Sequence, residues 1–157
     1  MKQYIQTIFP AEFKRNPAYW RAFILGCMLM VLAVLQLFQF EDFPGLIAAM
    51  RLPGGAMVAW LVAALMPLLE IASLPYLFSM KVPAKLRLIS MWCGVATGAL
   101  WLALTLWTSL TQGMGLQSGI FGATLPANSG WWSVLFAALL LWSQLLTMRE
   151  LPKRRER

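Results

Sequence analysis

The chain of 157 residues contains no histidine. Imidazole is the commonest protein ligand for zinc, copper and haem iron, and it is the usual base of a nucleophilic triad. The two cysteines, Cys27 and Cys93, form no Cys-x-x-Cys pair and lie inside apolar runs, which is typical of structural thiols. The ten methionines are scattered, as gap-filling residues are, and leave Met-rich copper transport a remote alternative. We therefore predict no metal site and no catalytic residue.

Charged residues are also scarce: they make up 12% of the chain, while 60% is hydrophobic. This balance excludes an ordinary soluble domain and predicts an integral membrane protein. Four apolar runs are long enough to cross a bilayer core of about 30 Å. Because their connections are short, we predict an all-α, antiparallel four-helix bundle that occupies residues 1–157 as one domain. The predicted spans cover about 20–40, 56–79, 88–110 and 131–148.

Acidic residues are fewer than basic ones, six against thirteen, which gives a net charge of +7. The basic residues precede or open the first span, fill the connection between the second and third spans, and follow the fourth; only Arg51 lies on the other side. This distribution obeys the positive-inside rule and predicts cytoplasmic termini in a bacterial inner membrane. It explains the charge without a nucleic-acid partner, and it brings the basic tail close to anionic membrane lipid.

Three local patterns have two interpretations each. Apolar residues at helical spacing in residues 2–13 indicate either a short interfacial helix or a loosely ordered tail. The apolar stretch between Pro44 and Pro53 indicates either a short interfacial helix or a loop. Gly94 and Gly98 form a small-xxx-small pattern, which favours close packing inside the bundle over a dimer contact.

Glu70 is the only acidic residue inside a predicted span, and Pro67 and Pro75 flank it. A carboxylate in lipid costs several kcal/mol unless it is neutralised or paired, so it marks a candidate functional site by default. We expect Ser73 and Tyr76 to belong to this site, with Gln36 among the polar groups of the other spans. A neutral carboxyl group bonded to another helix would be structural, whereas a proton relay or a contact to a quinone or lipid headgroup would be functional.

The third connection, residues 111–130, contains no ionisable residue and is rich in glycine. Uncharged, glycine-rich backbone outside the membrane packs against something. The candidates are the mouth of the bundle and a partner protein.

Two segments together resemble the MauE/DoxX group of four-helix membrane proteins. The first is Pro67-Leu68-Leu69-Glu70 in the second span, and the second is Ser118-Gly119-Ile120-Phe121-Gly122 in the third connection. MauE-type members carry a Cys-x-Cys-Phe-Gly element in that connection, so Ser118 and Ile120 stand where the two cysteines would be. The resemblance implies a link to periplasmic redox maturation or to membrane oxidoreductases. Serine and isoleucine cannot perform thiol–disulfide exchange, because that reaction requires a thiolate that attacks and a thiol that leaves.

We therefore expect a non-catalytic subunit or assembly factor of a redox-associated membrane complex that docks its partners through loop 111–130. The alternative is a membrane redox subunit that binds quinone or lipid and uses Glu70. A small transporter is a third possibility, although four spans with one acid offer little of a pathway.

Overall fold

The computed structural model describes residues 17–80, 82–111, 118–123 and 130–151. The regular secondary structure of these residues consists of helices alone, four of them long and apolar enough to cross a membrane. The helices are α1 (Pro17–Phe38), α2 (Phe43–Ala49), α3 (Gly55–Leu77), α4 (Ala84–Thr111) and α5 (Trp131–Glu150).

The predicted spans correspond to α1, α3, α4 and α5, with boundaries that differ by up to four residues. The largest difference is at the start of α4, which begins at Ala84, directly after Pro83. Hydropathy alone missed this first turn because it contains Lys85 and Arg87, which continue the helix beyond its apolar part. Of the two interpretations of the stretch between Pro44 and Pro53, the helix is present as α2, which begins at Phe43, whereas the segment 2–13 lies outside the described residues.

The four long helices form a ring in which α1 packs on α3, α3 on α4, α4 on α5 and α5 on α1, while α2 packs on α3. The ring encloses a core that includes Leu29, Met66 and Trp101. Large apolar side chains such as Leu68 and Leu139 are more than 60% exposed on the outside. Lipid solvates such a surface, so the helices do not need to bury it.

Contacts gather at two ends of the ring. At the first, which we call the tail end, Arg21 forms an ion pair with Glu150, and the Tyr76 hydroxyl donates to the carbonyl of Thr147 at 3.3 Å. At the second, which we call the loop end, Trp107 Nε1 donates to the carbonyl of Met50 at 3.1 Å, and residues 118–123 pack beside α2.

Both prolines of the second span lie inside α3, which continues through them. Just after Pro75, the backbone N–H of Tyr76 donates to Ser90 Oγ on α4 at 3.0 Å. A neighbouring helix thus satisfies a backbone group close to a proline, as membrane helices require.

The small residues of α4 allow close contacts inside the bundle. Gly98 faces α5, where an added Cβ would lie 2.5 Å from Gln144 Oε1 and 2.9 Å from the Cα of Leu141. Gly94 faces α3, where an added Cβ would meet the Cβ of Ser73 at 3.4 Å, an ordinary van der Waals distance. The two glycines therefore differ in how much space surrounds them.

We predict that Gly98→Ala lowers the stability of the bundle by about 1–3 kcal/mol, the usual cost of overpacking, because the backbone at Leu141 cannot move aside easily. Gly94→Ala is the matched control. The space beside Gly94 accepts a methyl group, and the better helix propensity of alanine can add up to about 1 kcal/mol to the stability of the bundle. Thermal unfolding of both variants in detergent micelles tests this. A Gly98→Ala variant as stable as Gly94→Ala would contradict the packing described here.

Candidate functional site

Glu70 lies on the face of α3 that points into the ring, and its side chain is 0% exposed. Its neighbours Met66, Pro67 and Ser73 are buried on the same face, while Leu68 and Ile71 are exposed to the outside. The helical period alone therefore carries this acid into the bundle interior.

Two donors from two other helices share one oxygen of this carboxyl group. Gln36 Nε2 on α1 and Trp101 Nε1 on α4 each donate to Glu70 Oε1 at 3.0 Å. Gln36 and Trp101 are themselves 0% and 1% exposed, so water contributes little to solvating these groups. One acceptor atom thus connects α1, α3 and α4.

The third connection also contacts these residues, through Gln36. Gln36 Nε2 also donates to the backbone carbonyl of Ile120 at 3.3 Å. Gly122 lies so close to α1 that an added Cβ would be 2.8 Å from the Cα of Gln36 and from the carbonyl oxygen of Leu35. We call Glu70, Gln36, Trp101 and the Ile120 carbonyl the Glu70 network.

Residues 118–123 are built into the mouth of the bundle. Ser118, Gly119, Ile120 and Gly122 are buried, and Phe121 is half-buried, where its ring lies parallel to that of Trp132 with 6.5 Å between centroids. Gly119 and Gly122 have φ of +67° and +65°, a left-handed conformation that favours glycine. The third connection was expected to pack against either the bundle mouth or a partner protein, and residues 118–123 pack against the bundle mouth. Residues 112–117 and 124–129 lie outside the described residues.

Ser73 and Tyr76 do not join the carboxyl group of Glu70. Ser73 Oγ donates to the backbone carbonyl of Glu70 at 2.6 Å, one turn earlier in the same helix. Tyr76 lies at the tail end, where its hydroxyl bonds to Thr147 and the guanidinium of Arg87 lies 5.3 Å from its ring centroid. Glu70, Ser73 and Tyr76 therefore share a helix, but the side chains of Ser73 and Tyr76 bond to backbone carbonyls and not to the carboxyl group.

Several buried polar atoms have no hydrogen-bond partner among the described residues. Two of them belong to the Glu70 network, Oε2 of Glu70 and Oε1 of Gln36, and two more are the amide atoms of Gln144 on α5. Unpaired polar atoms in a protein interior are costly and call for an explanation, such as a bound water or ligand. These atoms therefore leave hydrogen-bonding capacity unused in the interior.

The described part of the chain contains no group of three His, Cys, Asp or Glu residues that could hold a metal ion. Its two cysteines are free, and Cys27 lies exposed on α1 rather than in the core. The Glu70 network itself offers hydrogen-bond donors and acceptors and one titratable carboxyl group.

Sequence reasoning identified Glu70 and included Gln36 among the polar residues, but it missed Trp101. The signal was available, because a tryptophan in the middle of an apolar span must find an acceptor for its indole N–H once it is buried. Which acceptor it finds depends on the rotation of α4 relative to α3, and one sequence does not give that rotation.

We predict that Glu70→Gln changes the free energy of unfolding by less than about 1 kcal/mol, because the amide oxygen replaces the acceptor that Gln36 and Trp101 use. Glu70→Leu should cost about 2–6 kcal/mol, since it leaves two buried donors without this acceptor and each costs about 1–3 kcal/mol. Thermal unfolding in detergent micelles measures both changes. Glu150→Gln, at the exposed ion pair, is the control and should cost about 0–1 kcal/mol. Equal losses in the Gln and Leu variants would contradict the network.

No family model, curated protein or solved structure matches the chain.

Proposed function

We propose that this protein is a non-catalytic subunit or assembly factor of a bacterial inner-membrane complex associated with redox chemistry, and that it is a degenerate relative of the MauE/DoxX group. The observation that carries the proposal is the third connection. Residues 118–122 keep a close fit to the bundle, while the positions that hold cysteines in the resembling family hold Ser118 and Ile120.

The burial of these two positions supports a structural role for the connection. Ser118 is 1% exposed and Ile120 is 0% exposed, and the Ile120 carbonyl accepts a bond from Gln36. A thiol-exchange site needs a thiolate that its partner can reach. This segment has neither the thiol nor the access, and it closes the mouth of the bundle.

The proposal includes an antiparallel topology with both termini in the cytoplasm. The contact of Arg21 near the start of α1 with Glu150 at the end of α5 supports it, as does the bond of Tyr76 near the end of α3 to Ser90 near the start of α4. Among the described basic residues, Arg21, Lys85, Arg87 and Arg149 lie in helix segments at this tail end and Arg51 lies at the loop end; the positive-inside rule assigns the more basic end to the cytoplasm.

The loop end then faces the periplasm, and partners dock there in this proposal. The described residues at positions 118–122 are mostly buried. The accessible apolar groups beside them include the half-buried Phe121 and the 57% exposed Trp131 at the start of α5. Tryptophan is enriched both at membrane interfaces and at protein contacts, and Trp131 suits a contact that begins at the membrane surface.

We predict that the tagged protein, extracted from native membranes in mild detergent, retains a membrane or periplasmic oxidoreductase in fixed ratio. A photo-crosslinking amino acid at Trp131 should capture that partner. The same amino acid at Trp142, which is 61% exposed on the same helix but lies three turns away, is the matched control and should capture much less. Mass spectrometry identifies the product. A protein without stoichiometric partners, or equal crosslinking at both positions, would contradict this function.

A second function is favoured by the unpaired atoms of the Glu70 network. Glu70 Oε2 and Gln36 Oε1 are buried without a partner in the described part of the chain, so a quinone or lipid headgroup could complete the site. In this alternative, the carboxyl group binds the headgroup or moves a proton.

For this alternative we predict that Glu70→Gln assembles normally but abolishes the redox activity of the parent complex, because glutamine keeps the acceptor and removes the titratable proton. Quinone extracted with the purified protein should fall in Gln36→Leu, which loses the second polar atom. The substitution Gln144→Leu, also at a buried unpaired amide, controls for a general loss of interior polarity. Full activity in Glu70→Gln would exclude the proton role and leave the subunit function in place.

A further inference from the structure

A groove of about 250 Å³ runs along the seam between α1 and α5. Both helices contribute apolar side chains to its walls. Leu25 and Thr147 are buried at the groove, whereas Ile24 is 65% exposed. The groove opens toward the surroundings of the bundle, away from the Glu70 network. It is lined by Arg21, Ile24, Leu25, Met28, Ser143, Leu146 and Thr147.

The groove has one charged side chain, that of Arg21. Arg21 is its one basic residue and belongs to the tail end, where its guanidinium pairs with Glu150. The Arg21 side chain remains 52% exposed. Since a guanidinium has five N–H donors and the pair with Glu150 uses one nitrogen, Arg21 can bind a phosphate without releasing Glu150.

A second groove on the bundle provides a contrast. It has a volume of about 340 Å³, lies between α3 and α4, and is lined by apolar residues that include Leu69, Trp92 and Ala96, with no charged residue. Any acyl chain can cover such a surface. The groove between α1 and α5 differs because a cation stands at the end of an apolar channel.

We propose that the groove between α1 and α5 binds one anionic phospholipid. An acyl chain packs along Ile24, Met28 and Leu146, and the phosphate group bonds to Arg21. The apolar walls of the groove suit a lipid acyl chain. The positive charge of the guanidinium, at the tail end of the groove, suits an anionic headgroup. This site is independent of the proposed partner complex and of any ligand at Glu70.

The test is a lipid titration of the delipidated full-length protein, followed by native mass spectrometry. The probes are phosphatidylglycerol and phosphatidylcholine with identical chains. Both lipids carry a phosphate, but the choline ammonium cancels its charge in phosphatidylcholine. We therefore expect the unsubstituted protein to bind phosphatidylglycerol about fivefold more tightly, the usual effect of one basic residue on an anionic lipid. Arg21→Gln should remove that preference, whereas Arg149→Gln, an exposed residue of α5 outside the groove lining, should retain it.

Three further variants separate binding from bundle stability. Glu150→Gln breaks the same ion pair as Arg21→Gln but leaves the guanidinium, so it should keep or strengthen the preference. Ser143→Phe fills the groove and should weaken binding of both lipids, while Ala96→Phe fills the second groove and should leave the preference unchanged. Equal binding of the two lipids by the unsubstituted protein, or equal losses in Arg21→Gln and Glu150→Gln, would overturn the proposal. Occupation of the seam by a protein while lipid binds elsewhere would also overturn it.

Discussion

Oε1 of Glu70 accepts hydrogen bonds from Gln36 and Trp101, and much of the arrangement of this bundle depends on that shared acceptor. In water, helices associate because they bury apolar surface, but lipid tails are as apolar as leucine and remove that driving force. Polar contacts and close packing must then set which faces meet. A carboxyl group that takes one donor from α1 and another from α4 fixes the rotation of three helices at once. Through the second hydrogen bond of Gln36, it also fixes where the segment around Ile120 enters.

The fourth span is held to the ring by different means. Gly98 lets α4 approach the backbone of α5 at Leu141, and the exposed pair of Arg21 with Glu150 joins α5 to α1. Exposed ion pairs are worth about 0–1 kcal/mol, so the seam between α1 and α5 is held more weakly than the contacts around Glu70. The apolar groove lies along this same seam. A lipid seated there would add contacts where the ring has few of its own.

Hydropathy was sufficient to predict the four spans, because length and apolarity are local properties of the chain, whereas it left helix and loop open for the segment that forms α2. Glu70 was also identifiable, since an acid in an apolar run stands out without structural knowledge. Its partners were not. Trp101 is one of eight tryptophans, and only the packing of α4 against α3 selects it as the donor. Nearness in sequence also suggested that Tyr76 shares a site with Glu70, whereas its hydroxyl donates to the carbonyl of Thr147 on α5 at the tail end. The inward placement of Ser118 and Ile120 likewise depends on glycines with positive φ, whose conformation a composition count does not reveal.

The order of the network along the chain has a consequence for biogenesis. Gln36 precedes Glu70 in the sequence, and Trp101 follows it, so during synthesis the first donor is present before the acid and the second arrives afterwards. An isolated α3 would carry an uncompensated carboxyl group into the bilayer, whereas a hairpin of α1 and α3 carries the acid together with a hydrogen-bond donor. Insertion in pairs thus lowers the barrier that a lone helix would meet. The network is complete only when Ile120, its last member along the chain, has also left the ribosome.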